Sequence, residues 1–284
     1  VYTIAGEPAA VLKAALLGAK AIYESVDMRL HSGAHPRIGA LDVLPLVPLR
    51  GISMETAAAL ARELGARIAA ELGVPVYLYA DSASRPERRE LSSLRRGGYE
   101  GLPSRFVDPA WKPDSGPAEF LPRWGATAVG AREVLIAWNV NLDSDDLDLA
   151  KRIAAELRAR GKADPPFPGL KAIGWRMPGY RSVQVSFNVT DPRRSPLLRV
   201  YRAVDAAAAP SGARAAGSEL IGLVPAFALE EAGKEALSEA GYGAERSPRE
   251  LIAAGAAALG LESLRPFRAE ERVLEYALAR MEDQ

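Results

Sequence analysis

Apolar residues recur along this chain at two spacings, and the alternation between them predicts alternating strands and helices. Val1-Tyr2-Thr3-Ile4 reads as a strand closed by Gly6, and Pro8 opens a helix to about Met28 with Leu12, Leu16 and Leu17 on its apolar side. Residues 29–41 follow neither period and are a glycine- and proline-bearing loop. Asp42–Leu49 is a strand with two prolines, which places it at a sheet edge or beside a site, where ladder hydrogen bonds are dispensable. Ser53 is an N-cap candidate for a helix to Leu72, because Leu60, Leu64, Ile68 and Leu72 form one stripe; Gly73 stops it. A strand at 74–79 and a short helix at 91–96 follow. Residues 99–125 hold five prolines and three glycines, a long irregular stretch of the kind that usually serves function. Phe106, Trp111, Phe120 and Trp124 predict that it is ordered.

The first unit closes with Val134–Val140, an apolar and therefore central strand. A helix at 143–160 carries four aspartates in its first turns, which suit the positive end of the helix dipole, and 161–169 is a Pro/Gly-rich linker. Strands follow at 171–175 and 182–190. In the latter Val183, Val185, Phe187 and Val189 alternate with Gln184, Ser186, Asn188 and Thr190, the mark of a half-exposed strand. A helix at 195–209, a strand at 218–224 and helices at 227–240, 248–259 and 268–281 complete the chain. LPLVPLRGISMETA at 44–57 echoes IGLVPAFALEEAG at 221–233, each a strand ending in Leu-Val-Pro before an acid-capped helix. The expected fold is therefore α/β (α+β) in two similar units: 1–142, a helix and linker at 143–169, and 170–284.

Composition narrows the function. The 284 residues carry 36 basic and 36 acidic side chains, so bulk charge does not attract nucleic acid. Arg85, Arg88, Arg89, Arg95 and Arg96 are diluted by Glu87 and Glu90 and read as a solvated helix face. The absence of cysteine excludes disulfides, thiolate nucleophiles and cysteine metal sites. No apolar run reaches the length of a membrane span and no signal peptide is visible, so the expectation is a cytoplasmic protein without a membrane partner. Gly125–Gly130 lacks the spacing of a dinucleotide fingerprint, and neither a P-loop nor a nucleophile-elbow serine is present. Histidine occurs only at 31 and 35. Gly33 and Pro36 argue against a helical metal-binding pair, and no metal is expected. His35, with Arg37 and Asp42 leading into a proline-bearing strand, is instead a candidate for proton exchange near neutral pH.

These residues carry a resemblance. HSGAHPRIGALDVLPLVPL at 31–49 resembles the hallmark segment of glutamate formiminotransferases, which occur alone or as the N-terminal part of formiminotransferase-cyclodeaminases. PVYLY at 75–79, SGPAEFLPRWGATAVGAREVLIAWNVNL at 115–142, IGW at 173–175, GSELIGLVP at 217–225 and LGLESLRPF at 259–267 extend the similarity in collinear order. It implies two ferredoxin-like subdomains with mixed sheets, helices outside and a ligand groove between them, assembled as a homodimer. It also implies transfer of a formimino group from N-formimino-L-glutamate to N5 of tetrahydrofolate as co-substrate, with release of L-glutamate, in histidine degradation. Family members begin with a further strand, helix and strand ahead of Val1, and many carry Lys-Gly-Glu where this chain has Ser32-Gly33-Ala34. A catalytically silent folate or amino-acid binder and a related formyl transferase are the alternatives.

By the same resemblance the catalytic histidine falls on His35. The folate contacts fall on Gly116, Pro117, Ala118, Glu119, Phe120, Leu121, Pro122, Arg123, Trp124 and Gly125, and on Gly169 and Leu170 in the second half. Arg37 is a candidate for the substrate's carboxylates, with Asp42 beside it. Phe120, Pro122 and Trp124 are candidates for the wall of a pterin slot.

Overall fold

A computed structural model describes residues 1–33, 36–161, 167–177, 182–242 and 246–282. The chain divides into two compact units, Ile4–Glu133 and Val134–Gln284, the latter joined by Val1–Thr3. The division falls at residue 133 rather than at 142, because the strand expected to close the first unit pairs inside the second.

The first unit holds α1 (Pro8–Ser25), β1 (Val43–Leu46), α2 (Met54–Leu72), β2 (Val76–Ala80), α3 (Leu91–Leu94), α4 (Leu102–Phe106) and β3 (Thr127–Ala131). Its three strands are parallel in the order β1-β3-β2, so the proline-bearing β1 is an edge strand as its sequence predicts. The central β3 reads Thr-Ala-Val-Gly-Ala and is buried throughout, and periodicity did not mark it as a strand. Ser53 Oγ accepts the Thr56 N–H at 3.1 Å to start α2, and Gly73 ends it in the left-handed conformation. The stripe of α2 packs with α1 against one sheet face through Leu16, Ala61, Leu64, Ile68, Val76 and Val129. The opposite face carries Tyr77, Tyr79 and Ala128 against Ile38, Leu94 and Leu102. Val1–Ile4 is not a strand. No described strand pairs with it, and without that pairing its apolar side chains stay in solvent.

The second unit holds β4 (Ile136–Leu142), α5 (Leu147–Arg160), β5 (Leu170–Arg176), β6 (Val183–Val189), α6 (Leu197–Ala208), β7 (Ala215–Ile221), α7 (Ala226–Glu239), α8 (Pro248–Ala258), α9 (Ala269–Arg272) and α10 (Leu274–Glu282). The sheet is antiparallel in the order β5-β6-β4-β7, with the apolar β4 inside it. Asp146 caps α5 by accepting the Asp148 and Leu149 N–H groups at 2.9 and 3.1 Å, and these bonds, led by that from Leu149, hold its carboxyl below the usual range. Trp138, Val140, Val185 and Phe187 point into the core with Leu149, Ile153 and Val200. The sequence echo is local only: β1 and β7 each run through a Val-Pro into a helix, but one belongs to a parallel sheet and the other to an antiparallel one. No helix among the described residues is long and apolar enough to cross a membrane.

Candidate functional site

His35 and Ala34 lie outside the described residues, and the site is built from what flanks them. On the N-terminal side the Met28 N–H donates to the Arg123 carbonyl at 2.9 Å. The Arg123 guanidinium in turn donates to the Glu24 and Tyr23 carbonyls, at 2.9 and 3.2 Å, at the C-terminus of α1. On the C-terminal side the Ala126 N–H donates to the Ile38 carbonyl at 2.8 Å, and the Ala40 N–H to the Trp124 carbonyl at 2.9 Å. Two glycines permit this approach. A Cβ on Gly39 would lie 2.2 Å from the Ala126 oxygen, and one on Gly125, whose φ is +81°, would lie 2.1 Å from the Ile38 oxygen. The two ends of the histidine-bearing loop are thus tied to residues 123–126, although nearly ninety positions of chain separate them.

Arg37 and Asp42 flank the same seam. Arg37 Nη2 donates to Glu100 Oε1 at 2.8 Å and to the His31 carbonyl at 3.1 Å, with its guanidinium 5.9 Å from the Tyr99 ring centre. That pairing holds the Glu100 carboxyl below its ordinary range. Asp42 Oδ1 accepts the Ile38 N–H at 2.8 Å, while Oδ2 pairs with Arg95. Both oxygens therefore serve the turn that aims residues 36–42. Tyr99 donates its hydroxyl to the Pro122 carbonyl at 2.5 Å and packs its ring 5.4 Å from that of Phe120. Tyr99, Glu100 and Arg95 complete the arrangement; in the sequence RRGGYE reads as an ordinary helix end and turn, and Arg95 as part of a solvated face, with no signal that points to this pairing.

Within 116–125 the residues divide by exposure. Gly116, Ala118, Glu119, Pro122 and Arg123 are exposed; Pro117, Phe120 and Leu121 are half-buried. Trp124 is 1% exposed, packs against Tyr23 and donates its Nε1 proton to Thr127 Oγ1 at 3.0 Å. Its ring belongs to the core, which leaves the half-buried Phe120 and the exposed Pro122 as the apolar side chains nearest the loop's surface. The loop's start is held by a buried buttress: Asp114 Oδ2 accepts from Arg88 Nη1 at 2.7 Å and from the Leu78 N–H at 2.8 Å. Arg88 also donates to the Lys112 carbonyl at 2.7 Å and is 1% exposed. The expectation of a solvated face is therefore corrected at Arg88, which a carboxylate, two carbonyls and the Tyr77 ring draw inward.

In the other unit, Gly169 precedes β5, and its carbonyl accepts the Thr190 N–H and hydroxyl at 3.0 and 2.8 Å. The Leu170 side chain enters the core of that unit.

Two α/β units, with residues 36–40 tied to a Gly- and Pro-bearing loop at 116–125 in the first, make a transferase-like domain pair, and the chain belongs to the formiminotransferase family. Residues 1–132 match the formiminotransferase domain, N-terminal subdomain, and residues 137–279 match the formiminotransferase domain. A glutamate formimidoyltransferase of Thermoplasma acidophilum is 41% identical over 244 residues, covering 85% of this chain and 79% of that protein. One of Streptococcus pyogenes serotype M1 is 40% identical over 229 residues, 81% and 76% of the two. The formimidoyltransferase-cyclodeaminase of Gallus gallus is 43% identical over 280 residues, 97% of this chain and 51% of that protein. The chain spans about half the length of such two-activity relatives.

Proposed function

We infer that this chain transfers a formimino group from N-formimino-L-glutamate to N5 of tetrahydrofolate and releases L-glutamate, a step of histidine degradation. The observation that carries the reading is the identity of about two residues in five with named glutamate formimidoyltransferases over most of both chains. In this reading N5 attacks the formimino carbon, and the C–N bond to glutamate breaks from a tetrahedral intermediate. His35 takes the proton leaving N5 and returns it to the departing glutamate nitrogen, so one imidazole serves both steps. The pairing of Arg37 with Glu100 supports Arg37 as the carboxylate binder: the Glu100 side chain is 65% exposed and that of Arg37 only 19%, so an incoming substrate carboxylate displaces the more exposed partner. Asp42, with both oxygens engaged, acts by positioning. Residues 116–125 and Gly169–Leu170 contact the folate in this reading, with Phe120 and Pro122 as the apolar surface.

A cytoplasmic homodimer accompanies the reading, and sedimentation of a micromolar sample tests the assembly. Incubation with formiminoglutamate and tetrahydrofolate should yield 5-formiminotetrahydrofolate. Folate binding without turnover would identify a silent binder, and turnover only with a formyl donor would identify a formyl transferase.

A further inference from the structure

The first unit carries an open hollow of about 280 Å3, lined among others by Arg96, Gly97, Gly101, Arg105, Asp108 and Trp111. That volume is near the lower end of small-molecule pockets, which run from roughly 300 to 1,000 Å3. Neither Arg37 nor any residue of 116–125 is part of the lining, so the hollow is separate from the place inferred for transfer. Three charged side chains meet there, and none is neutralised by another residue. Arg96 is exposed, and no carboxylate among the described residues pairs with it. Arg105 donates from Nη1 to the Leu94 carbonyl and from Nη2 to the Arg96 carbonyl, and its guanidinium lies 4.2 Å from the Trp111 ring centre. Neutral carbonyls and an aromatic face orient this cation without cancelling its charge. Burial lowers the affinity of Arg105 for its proton, and the neighbouring Arg96 charge lowers it further. Asp108 Oδ1 accepts the Ala110 N–H at 2.9 Å, and no cationic side chain among the described residues pairs with its carboxylate. The rest of this lining is a glycine turn. The Gly101 N–H donates to the Gly97 carbonyl at 2.9 Å, an oxygen that a Cβ on Gly101 would approach to 2.8 Å.

Two cations and one anion line the hollow, so its electrostatic complement is a small molecule with two anions and one cation. We propose that the hollow is a second binding site, for a free acidic α-amino acid. The α-ammonium group faces Asp108, the two carboxylates face Arg96 and Arg105, and the methylenes lie along the Trp111 ring. An inorganic anion leaves Asp108 unmatched, and a dicarboxylate without an amine does the same. The contacts are open to water, which limits each to a modest contribution, and a dissociation constant on the order of 1 mM is expected.

Binding here needs no folate, so the test uses the whole chain with L-glutamate alone, and its failure leaves the transfer reading standing. The chain has four tryptophans. In nitrogen-15-labelled protein their indole N–H signals report four separate places, and the Trp111 signal is the one lost in Trp111→Phe. L-Glutamate should move the Trp111 signal saturably. Glutarate, the same skeleton without the amine, should bind at least about fivefold more weakly. Arg96→Gln should weaken L-glutamate binding by a similar factor, through loss of a charge-assisted bond. Asp108→Asn keeps the capping oxygen and should abolish the preference for L-glutamate over glutarate. Both side chains are exposed, and unchanged Trp124 and Trp138 signals check that the variants are folded. A Trp111 signal unmoved by L-glutamate well above the expected dissociation constant overturns the proposal. Equal binding of glutarate, or unaltered binding of L-glutamate by folded Arg96→Gln, overturns it as well.

Discussion

Gly125 is the position where the seam around the histidine loop is most sensitive. In Gly125→Ala the added methyl starts 2.1 Å from the Ile38 carbonyl oxygen, whereas carbon and oxygen ordinarily approach to about 3.3 Å. The backbone must therefore open by about 1 Å. A left-handed conformation costs a non-glycine residue about 1–2 kcal/mol, and forcing a carbon into filled space costs about 1–3 kcal/mol. The shifted carbonyl also loses the Ala126 N–H, 2.8 Å away, worth about 1 kcal/mol. The sum is about 3–6 kcal/mol. Gly51 lies in the same unit with φ +71° and nothing within 4 Å of its would-be Cβ. Gly51→Ala pays only the backbone term, about 1–2 kcal/mol. The two variants should thus differ by at least 2 kcal/mol, or about 1 M in urea midpoint for a slope of about 2 kcal/mol/M. Tryptophan fluorescence during urea unfolding reads the difference, since Trp124 adjoins the substituted residue. Formimino transfer should fall further than the unfolded fraction explains, because residues 36–40 move with the Ile38 carbonyl. Equal midpoints for the two variants would refute the close-approach argument.

In His35→Ala, turnover should drop by ~100- to 10,000-fold with folate affinity little changed, while His31→Ala stays near full activity; steady-state kinetics on both separate a proton shuttle from a structural loop residue. Arg88→Met leaves Asp114 buried without its cation, and thermal unfolding should show a loss of about 3–5 kcal/mol. Burial pushes the Tyr77 hydroxyl up to about 12 from an ordinary value of 10. The folded state then holds a proton that the unfolded chain releases, so this contribution is whole below pH 10 and is lost as pH rises from 10 to 12. Tyr77→Phe forfeits the 2.6 Å bond to the Trp111 carbonyl and should be less stable at neutral pH by about 1 kcal/mol. Its deficit should shrink above pH 10; a deficit constant to pH 12 in urea titrations would contradict the shift.

What local sequence determined is what local physics decides. The cap at Ser53, the stripe of α2 and the stop at Gly73 need only neighbours in the chain, and they stand where the pattern puts them. The apolar run of β4 marked an inner strand, and the two prolines around β1 marked an edge, because a missing N–H is a local property with a direct consequence for pairing. The family was legible as well, since its motifs are contiguous. Tertiary structure decided the rest. β3 is built of small residues with no alternation, and it is a strand because β1 and β2 both pair with it, a fact absent from its own five residues. Val1–Ile4 shows the converse: strand-like residues without a described partner remain irregular. Likewise, nothing in the arginine-rich run separates Arg88 from Arg85 or Arg89. It is buried because Asp114, twenty-six positions later, meets it there. Gln184 is buried and donates to the Glu219 carboxylate two strands away, so a period of two predicted its face but not its surroundings. Long-range pairing and charge compensation are properties of positions brought together by the fold, and one-dimensional periodicity carries no record of them.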